Sequence, residues 1–282
     1  MLNIEIPSAE VLKTLFSYAF VLRAVAVGIL TSLCAALIGV GLVLKRYSMI
    51  GDGLSHVGFG ALTVAAAAGL APMRVAVPVI LAAAVLLLKI SENGKIKGDS
   101  AVALISVGAL SIGVIAVSFS TGMNADVSGY LFGSILTLTH EDLILSVLVS
   151  AAVLTAYVLF YNKIFAVTFD PAFSKASGLR TDAYNMLISV LTALVVTVGM
   201  RMMGAMLISG LMIFPPLTAM RVFKSFRAAV IASAVISAVC FIAGFFVSVI
   251  LSTPASATVV AVNIIAFIIF WTIGGIRERV RS

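Results

Sequence analysis

Residues 45–60 read KRYSMIGDGLSHVGFG, and this stretch places an acid and one of only two histidines inside a run that otherwise reads as membrane-spanning. Asp52 and His56 stand four residues apart, so on a helix their side chains share a face about one turn from each other, which is a metal-ligand spacing. Lys45 and Arg46 mark a water boundary. At a rise of about 1.5 Å per residue, Asp52 lies roughly 10 Å beyond that boundary and His56 roughly 16 Å, near the middle of a ~30 Å hydrocarbon core. Ionisable groups at that depth are costly; they face a bundle interior or a water-filled path and mark the transported species. Gly51, Gly53, Ser55, Gly58 and Gly60 surround the pair with small side chains that let helices approach closely and admit a wet cavity. The competing reading is a buried polar pair that only hydrogen-bonds to neighbouring helices, and D-x-x-x-H spacing alone fits both.

The rest of the chain matches that setting. Of its 282 residues 62% are hydrophobic and 10% charged, and the mean hydropathy is +1.23, far more apolar surface than one soluble core can hide. The expectation is an all-α, polytopic transmembrane bundle forming a single domain over residues 1–282, with no appended soluble domain. Cys34 and Cys240 lie in apolar runs without C-x-x-C spacing and read as core filler. The net charge of +7 does not indicate nucleic acid, because the basic residues collect where membrane topology places them. Residues 1–30 lack the pattern of a removable signal, so insertion is expected to rely on the first span.

Nine apolar runs of about twenty residues are separated by short polar breaks. They fall near 21–44, 48–69, 74–90, 101–121, 142–161, 183–200, 203–220, 228–250 and 257–275; merging two adjacent runs would leave eight. Residues 5–20 read as a short interfacial helix. Taking 45–46, 89–97, 163–180, 221–227 and 277–281 as cytoplasmic gathers fourteen of the eighteen basic residues there and leaves Lys13, Arg23, Arg74 and Arg201 outside. An odd span count then puts the N-terminus outside and the C-terminus in the cytoplasm.

Between the fourth and fifth runs, residues 121–139 carry glycines around Tyr130-Leu131-Phe132 and read as an outward-facing re-entrant or short helical segment. His140, Glu141 and Asp142 follow at a helix start, where acids suit the dipole; the alternative is an external site that attracts an incoming cation. In the cytoplasmic break from Tyr161 to Asp182, Asp170 suits a helix cap, Pro171 its first position and Gly178 its end. A short capped helix outside the membrane implies a docked partner, with a solvated loop as the alternative. Gly204 to Leu211 presents small residues at helical spacing, and Pro215-Pro216 is expected to break the helix ahead of Arg221 and Lys224. No G-x-x-x-x-G-K-[ST] motif is present, so ATP hydrolysis is not expected of this chain, and His140-Glu141 lacks the second histidine of H-E-x-x-H.

These segments, in this order, resemble the membrane permease family of bacterial ABC importers for zinc, manganese and iron(II). Lys45-Arg46 followed by Met49 to His56 is similar to that family's opening signature, basic residues and then G-D-x-L-[SA]-H. Leu131 to Leu136 resembles its external segment, Phe169-Asp170 through Ala176 and Gly178 its ATPase-coupling helix, and Gly204 to Pro215 with Thr218, Ala219 and Arg221 its late small-residue run. Pro216 and Met220 stand where smaller residues are more usual.

The resemblance implies a homodimeric channel in the bacterial plasma membrane, energised by two ATP-binding subunits and fed by an extracellular metal-binding protein. It implies that Asp52 and His56 contact the ion and that Phe169, Asp170, Pro171, Ala172, Ala176 and Gly178 couple to the ATPase. No catalytic cofactor is expected, and the metal is cargo. A two-fold axis beside this helix would bring two carboxylates and two imidazoles together. Imidazole suits zinc and carboxylate suits manganese, so both stay open, with zinc narrowly favoured. A self-sufficient ion channel or gradient-driven secondary transporter is the alternative from another class.

Overall fold

The computed structural model describes residues 18–92, 98–119, 129, 133 and 140–281. Most of the expected interfacial helix at 5–20 and of the outward segment at 121–139 lies outside those residues. Among the described residues there are eleven helices: α1 (Ala19–Leu44), α2 (Ile50–Ala67), α3 (Pro72–Glu92), α4 (Gly98–Ser118), α5 (His140–Leu159), α6 (Tyr161–Phe169), α7 (Pro171–Ala176), α8 (Thr181–Met203), α9 (Ala205–Val222), α10 (Phe226–Leu251) and α11 (Ala255–Arg281). Eight are long and apolar enough to cross a membrane. The remaining long helix, α2, has 18 residues, about 27 Å of rise; Asp52 and His56 dilute its hydropathy. Each of the nine segments expected from the sequence contains one long helix among its described residues.

Turns fall where backbone chemistry allows them. Arg46 takes the left-handed region (φ 61°) to close α1, Gly69 (φ 67°) turns the chain towards α3, and Gly204 (φ 85°) alone joins α8 to α9. Among the eight apolar spans α1, α8 and α9 are the most enclosed, and α2 is buried as deeply as they are. Around them α10 packs on α1, α11 on α9 and α10, and α2 lies against α3, α4, α8 and α9. Small and hydroxyl residues make these contacts, as expected where lipid removes the hydrophobic drive between helices. Ser237 donates to the Ser32 carbonyl at 2.9 Å and Ser233 to that of Ala36 at 3.3 Å, tying α10 to α1.

One expectation fails. Pro215 and Pro216 do not end the helix; α9 runs through them to Val222. Pro216 cannot donate to Met212, four residues earlier, which leaves that carbonyl without its helical partner. The freed oxygen lies against Gly39 of α1, at a place where any Cβ would collide with it. The backbone of a neighbouring helix therefore shelters the break, which is how prolines persist inside membrane helices.

Polar contacts pin the helix ends. Lys45, at the end of α1, donates to the Asn185 amide oxygen near the start of α8. Asp142, at the start of α5, pairs at 2.8 Å with Arg201, at the end of α8. Arg221, at the end of α9, stacks 3.3 Å over the Trp271 ring of α11. Each contact joins two ends that the distribution of basic residues assigns to one face.

Candidate functional site

The glycines of α2 decide how its polar face is presented. A Cβ at Gly51 would stand 2.6 Å from the Met212 sulfur, and one at Gly58 2.6 Å from Cε of Met200, so this side of α2 is pressed onto α9 and α8. A Cβ at Gly53 would stand 2.6 Å from Val102, and one at Gly60 would collide with the Ala109 carbonyl, so the opposite side is pressed onto α4. At 100° per residue, Asp52 and His56 lie on the arc between these contacts. Their side chains stay partly open, at 36% and 25% exposure. The helix is clamped on two flanks and presents its ionisable pair along the seam.

Within the pair, Asp52 Oδ2 lies 3.5 Å from His56 Nε2. Ligands at about 2.1 Å from a tetrahedral ion are separated by about 3.4 Å, so the pair already has the edge length of a metal polyhedron. His56 Nδ1 is buried and makes no hydrogen bond. Across the contact with α9, the Ser209 hydroxyl lies 3.5 Å from that of Ser55. Among the described residues no group of three or more His, Cys, Asp or Glu converges, so one copy of this chain offers two such ligands. The sequence marks Ser209 only as a small residue for packing; nothing in its own helix shows that it meets Ser55 of α2.

The second expected element is present where the sequence placed it. Asp170 caps α7 by accepting from the Phe173 amide at 2.8 Å, and Pro171 holds the first position. The helix ends in a Schellman motif: Leu179 donates to the Ser174 carbonyl at 3.0 Å, Gly178 to that of Lys175 at 3.1 Å, and Gly178 is left-handed at φ 85°. Ser174 is buried beneath, while Ala172, Phe173 and Ala176 face outward. Phe169 packs on Phe165 and Phe226 and borders a cavity of about 200 Å³ with Leu44, Met220 and Phe223. This is a capped, outward-facing helix with apolar surface beside it.

At the opposite end, His140 and Glu141 are exposed in the first turn of α5. Asp142 turns inward and is 5% exposed, with its carboxylate engaged by Arg201. The sequence signal was available: Arg201 stands alone in an apolar run, and isolated charges at membrane depth pair. Cys34 and Cys240 are buried and unbridged, as expected for core filler.

Known proteins resemble this chain in sequence and fold. A membrane protein of a manganese transport system, MntC of Halalkalibacterium halodurans, is 26% identical over 88% of this chain and 85% of its own length. A membrane protein of a high-affinity zinc uptake system, ZnuB of Haemophilus influenzae, is 26% identical over 86% of this chain and 93% of its own. The solved structure of PsaBC from Streptococcus pneumoniae in complex with Fab superimposes with a TM-score of 0.82 at 27% identity, covering 93% of this chain and 95% of that one. A metal-chelate type ABC transporter in an inward-facing conformation, 16% identical with a TM-score of 0.76, shares the fold. The sequence profile of the ABC 3 transport family matches residues 17–274, and with that span matched the chain belongs to the ABC 3 transport family.

Proposed function

We propose that this chain is the membrane permease of an ATP-driven importer of divalent zinc or manganese, and that the ion passes Asp52 and His56. The observation that carries the reading is the 3.5 Å spacing of Asp52 Oδ2 and His56 Nε2 on a face left open between two helix contacts. The relatives' names, manganese transport and zinc uptake, agree with a carboxylate paired with an imidazole. Two ligands per chain are too few for a four-coordinate ion. A second copy related by a two-fold axis beside α2 supplies the other two, and the exposed apolar flank of α4, with Leu104, Val107 and Ile112, suits that packing.

The chain performs no chemistry of its own in this reading. Two ATP-binding subunits dock at α7 through Phe169, Asp170, Pro171, Ala172, Ala176 and Gly178, and an extracellular metal-binding protein delivers the ion. His140 and Glu141 are then the exposed groups that an incoming cation meets, while Asp142 braces α5 against α8. The N-terminus lies outside and the C-terminus in the cytoplasm of a bacterial plasma membrane. A self-sufficient channel would leave the exposed, fully capped α7 without a role, which favours the ATP-driven reading.

Asp52→Asn is the decisive variant, because it keeps shape and removes charge. In vesicles containing the reconstituted assembly, uptake of both metals should fall to background while ATP hydrolysis persists. Wild-type uptake by Asp52→Asn and by His56→Ala would refute the site.

A further inference from the structure

Several buried threonines of this bundle spend their hydroxyls within their own helix. Thr63, Thr192, Thr197 and Thr218 each donate to the carbonyl four residues earlier, at 2.7 to 2.9 Å. Thr168 of α6 does not. It is 8% exposed and its Oγ1 makes no hydrogen bond, and the hydroxyl of Tyr157 on α5, a residue 4% exposed, makes none either. A buried hydroxyl with no partner carries the full cost of leaving water, so two of them on neighbouring helices call for an explanation.

Both hydroxyls border Gly41 of α1. Gly39, Gly51 and Gly58 are pressed so closely onto other helices that a Cβ there would collide with a neighbour. Gly41 is just as buried, yet a Cβ on it would find nothing from another helix closer than Thr168 Oγ1, at 3.8 Å. Gly41 and Tyr157 also line a cavity of about 10 Å³ among α1, α5, α6 and α8, whose other walls are Ile38, Ile164, Ile188 and Leu191. That is room for one water. A wholly apolar cavity of this kind stays dry, whereas a water needs at least two polar partners. Tyr157 in the wall and Thr168 beside Gly41 supply two. A water displaced about 1 Å from the Cβ point towards Thr168 comes within about 2.8 Å of its oxygen, an ordinary O–H···O distance.

We infer that Gly41, Tyr157 and Thr168 form a binding site for one structural water, which bridges the two hydroxyls in the place a side chain at residue 41 would take. Each hydroxyl can give or take a hydrogen, so the water is held whichever way the bonds run. A bridge of this kind is nearly as good as a direct hydrogen bond. It ties α5 to α6, the helix that leads into α7, and it gives Gly41 a purpose that close helix packing does not.

Thermal unfolding of the purified full chain in one detergent tests the site by the sign of each change. Tyr157→Phe deletes one partner of the water and strands Thr168, so the midpoint should fall by roughly 2–4 °C, the shift of one ordinary hydrogen bond. With no water bound, the same change would remove an unpaired hydroxyl from an apolar wall, and the midpoint would hold or rise. Gly41→Ala places a methyl group where the water sits. It should also lower the midpoint, because two stranded hydroxyls outweigh the better helix propensity of alanine; with no water bound it would fill space and raise it. In the Tyr157→Phe background the water is already lost, so adding Gly41→Ala should raise the midpoint above that of Tyr157→Phe alone. Two lowered single variants together with that reversal are the expected result. Either single variant at or above wild type, a double variant no more stable than Tyr157→Phe, or a Gly41→Ala chain that cannot fold would overturn the inference.

Discussion

Removing Arg201 should damage the protein more than removing its partner Asp142. The two groups meet at 2.8 Å, but their side chains are unequally exposed, Arg201 at 38% and Asp142 at 7%. In Arg201→Met the carboxylate remains enclosed opposite an apolar chain, and breaking a buried pair from that side costs about 3 kcal/mol. In Asp142→Ala the guanidinium can swing into water, so the loss is nearer that of an exposed pair, about 1 kcal/mol. At roughly 2–4 °C of unfolding midpoint per kcal/mol, the two single variants should differ by roughly 4–8 °C. The double variant should recover most of the Arg201→Met loss, because the enclosed carboxylate is removed together with its cationic partner. Thermal unfolding of the purified protein in one detergent, followed by tryptophan fluorescence and by loss of monodisperse material, measures all three. Equal single losses, or a double variant as poor as their sum, would refute the reasoning that an enclosed carboxylate sets the cost.

Gly60→Ala should lower stability by about 1–3 kcal/mol, since its Cβ meets the rigid Ala109 carbonyl. Gly58→Ala should lose less, because its neighbours are the flexible tips of Met200 and Ile80; thermal unfolding of the pair checks the order. Ala172→Glu and Gly178→Val should uncouple ATP hydrolysis from uptake in reconstituted vesicles and leave metal binding intact. Gly178 has open space but a φ of 85°, so its cost is backbone strain of about 1 kcal/mol or more rather than a clash; full metal-stimulated uptake by either variant would remove the coupling role. A cysteine at Thr253 should label only from outside intact cells and one at Lys163 only from the cytoplasm, and the reverse pattern would invert the topology.

Hydropathy carried the bundle because runs of about twenty apolar residues match a bilayer's thickness, and the α2 signature was legible because charge at membrane depth is rare. Local chemistry carried α7, whose cap, proline and glycine all act within ten residues. The failures came from partners on other helices. Pro215-Pro216 reads as a stop because a single strand of text does not show that Gly39 waits beside the orphaned carbonyl. Asp142 does stand in the first turn of α5, as its reading as a helix-start acid has it, but that reading does not name Arg201 at the end of α8 as its partner, and Ser209 reads as packing because only the crossing of α9 with α2 brings its hydroxyl within 3.5 Å of that of Ser55. Sequence displays what a helix needs for itself and conceals what it lends to its neighbours.

The consecutive prolines of α9 also bear on mechanics. Pro215 and Pro216 delete two successive rungs of the helical ladder, those to Leu211 and Met212. A rod missing two adjacent rungs bends most easily there. Ser209 and the Met212 contact with Gly51 lie on one side of that soft point, and Arg221, Phe223 and the cavity beside Phe169 lie on the other. If α7 is where the ATPase pushes, as proposed, this flexure would convert a push at the α7 end into a tilt of the half of α9 that borders α2.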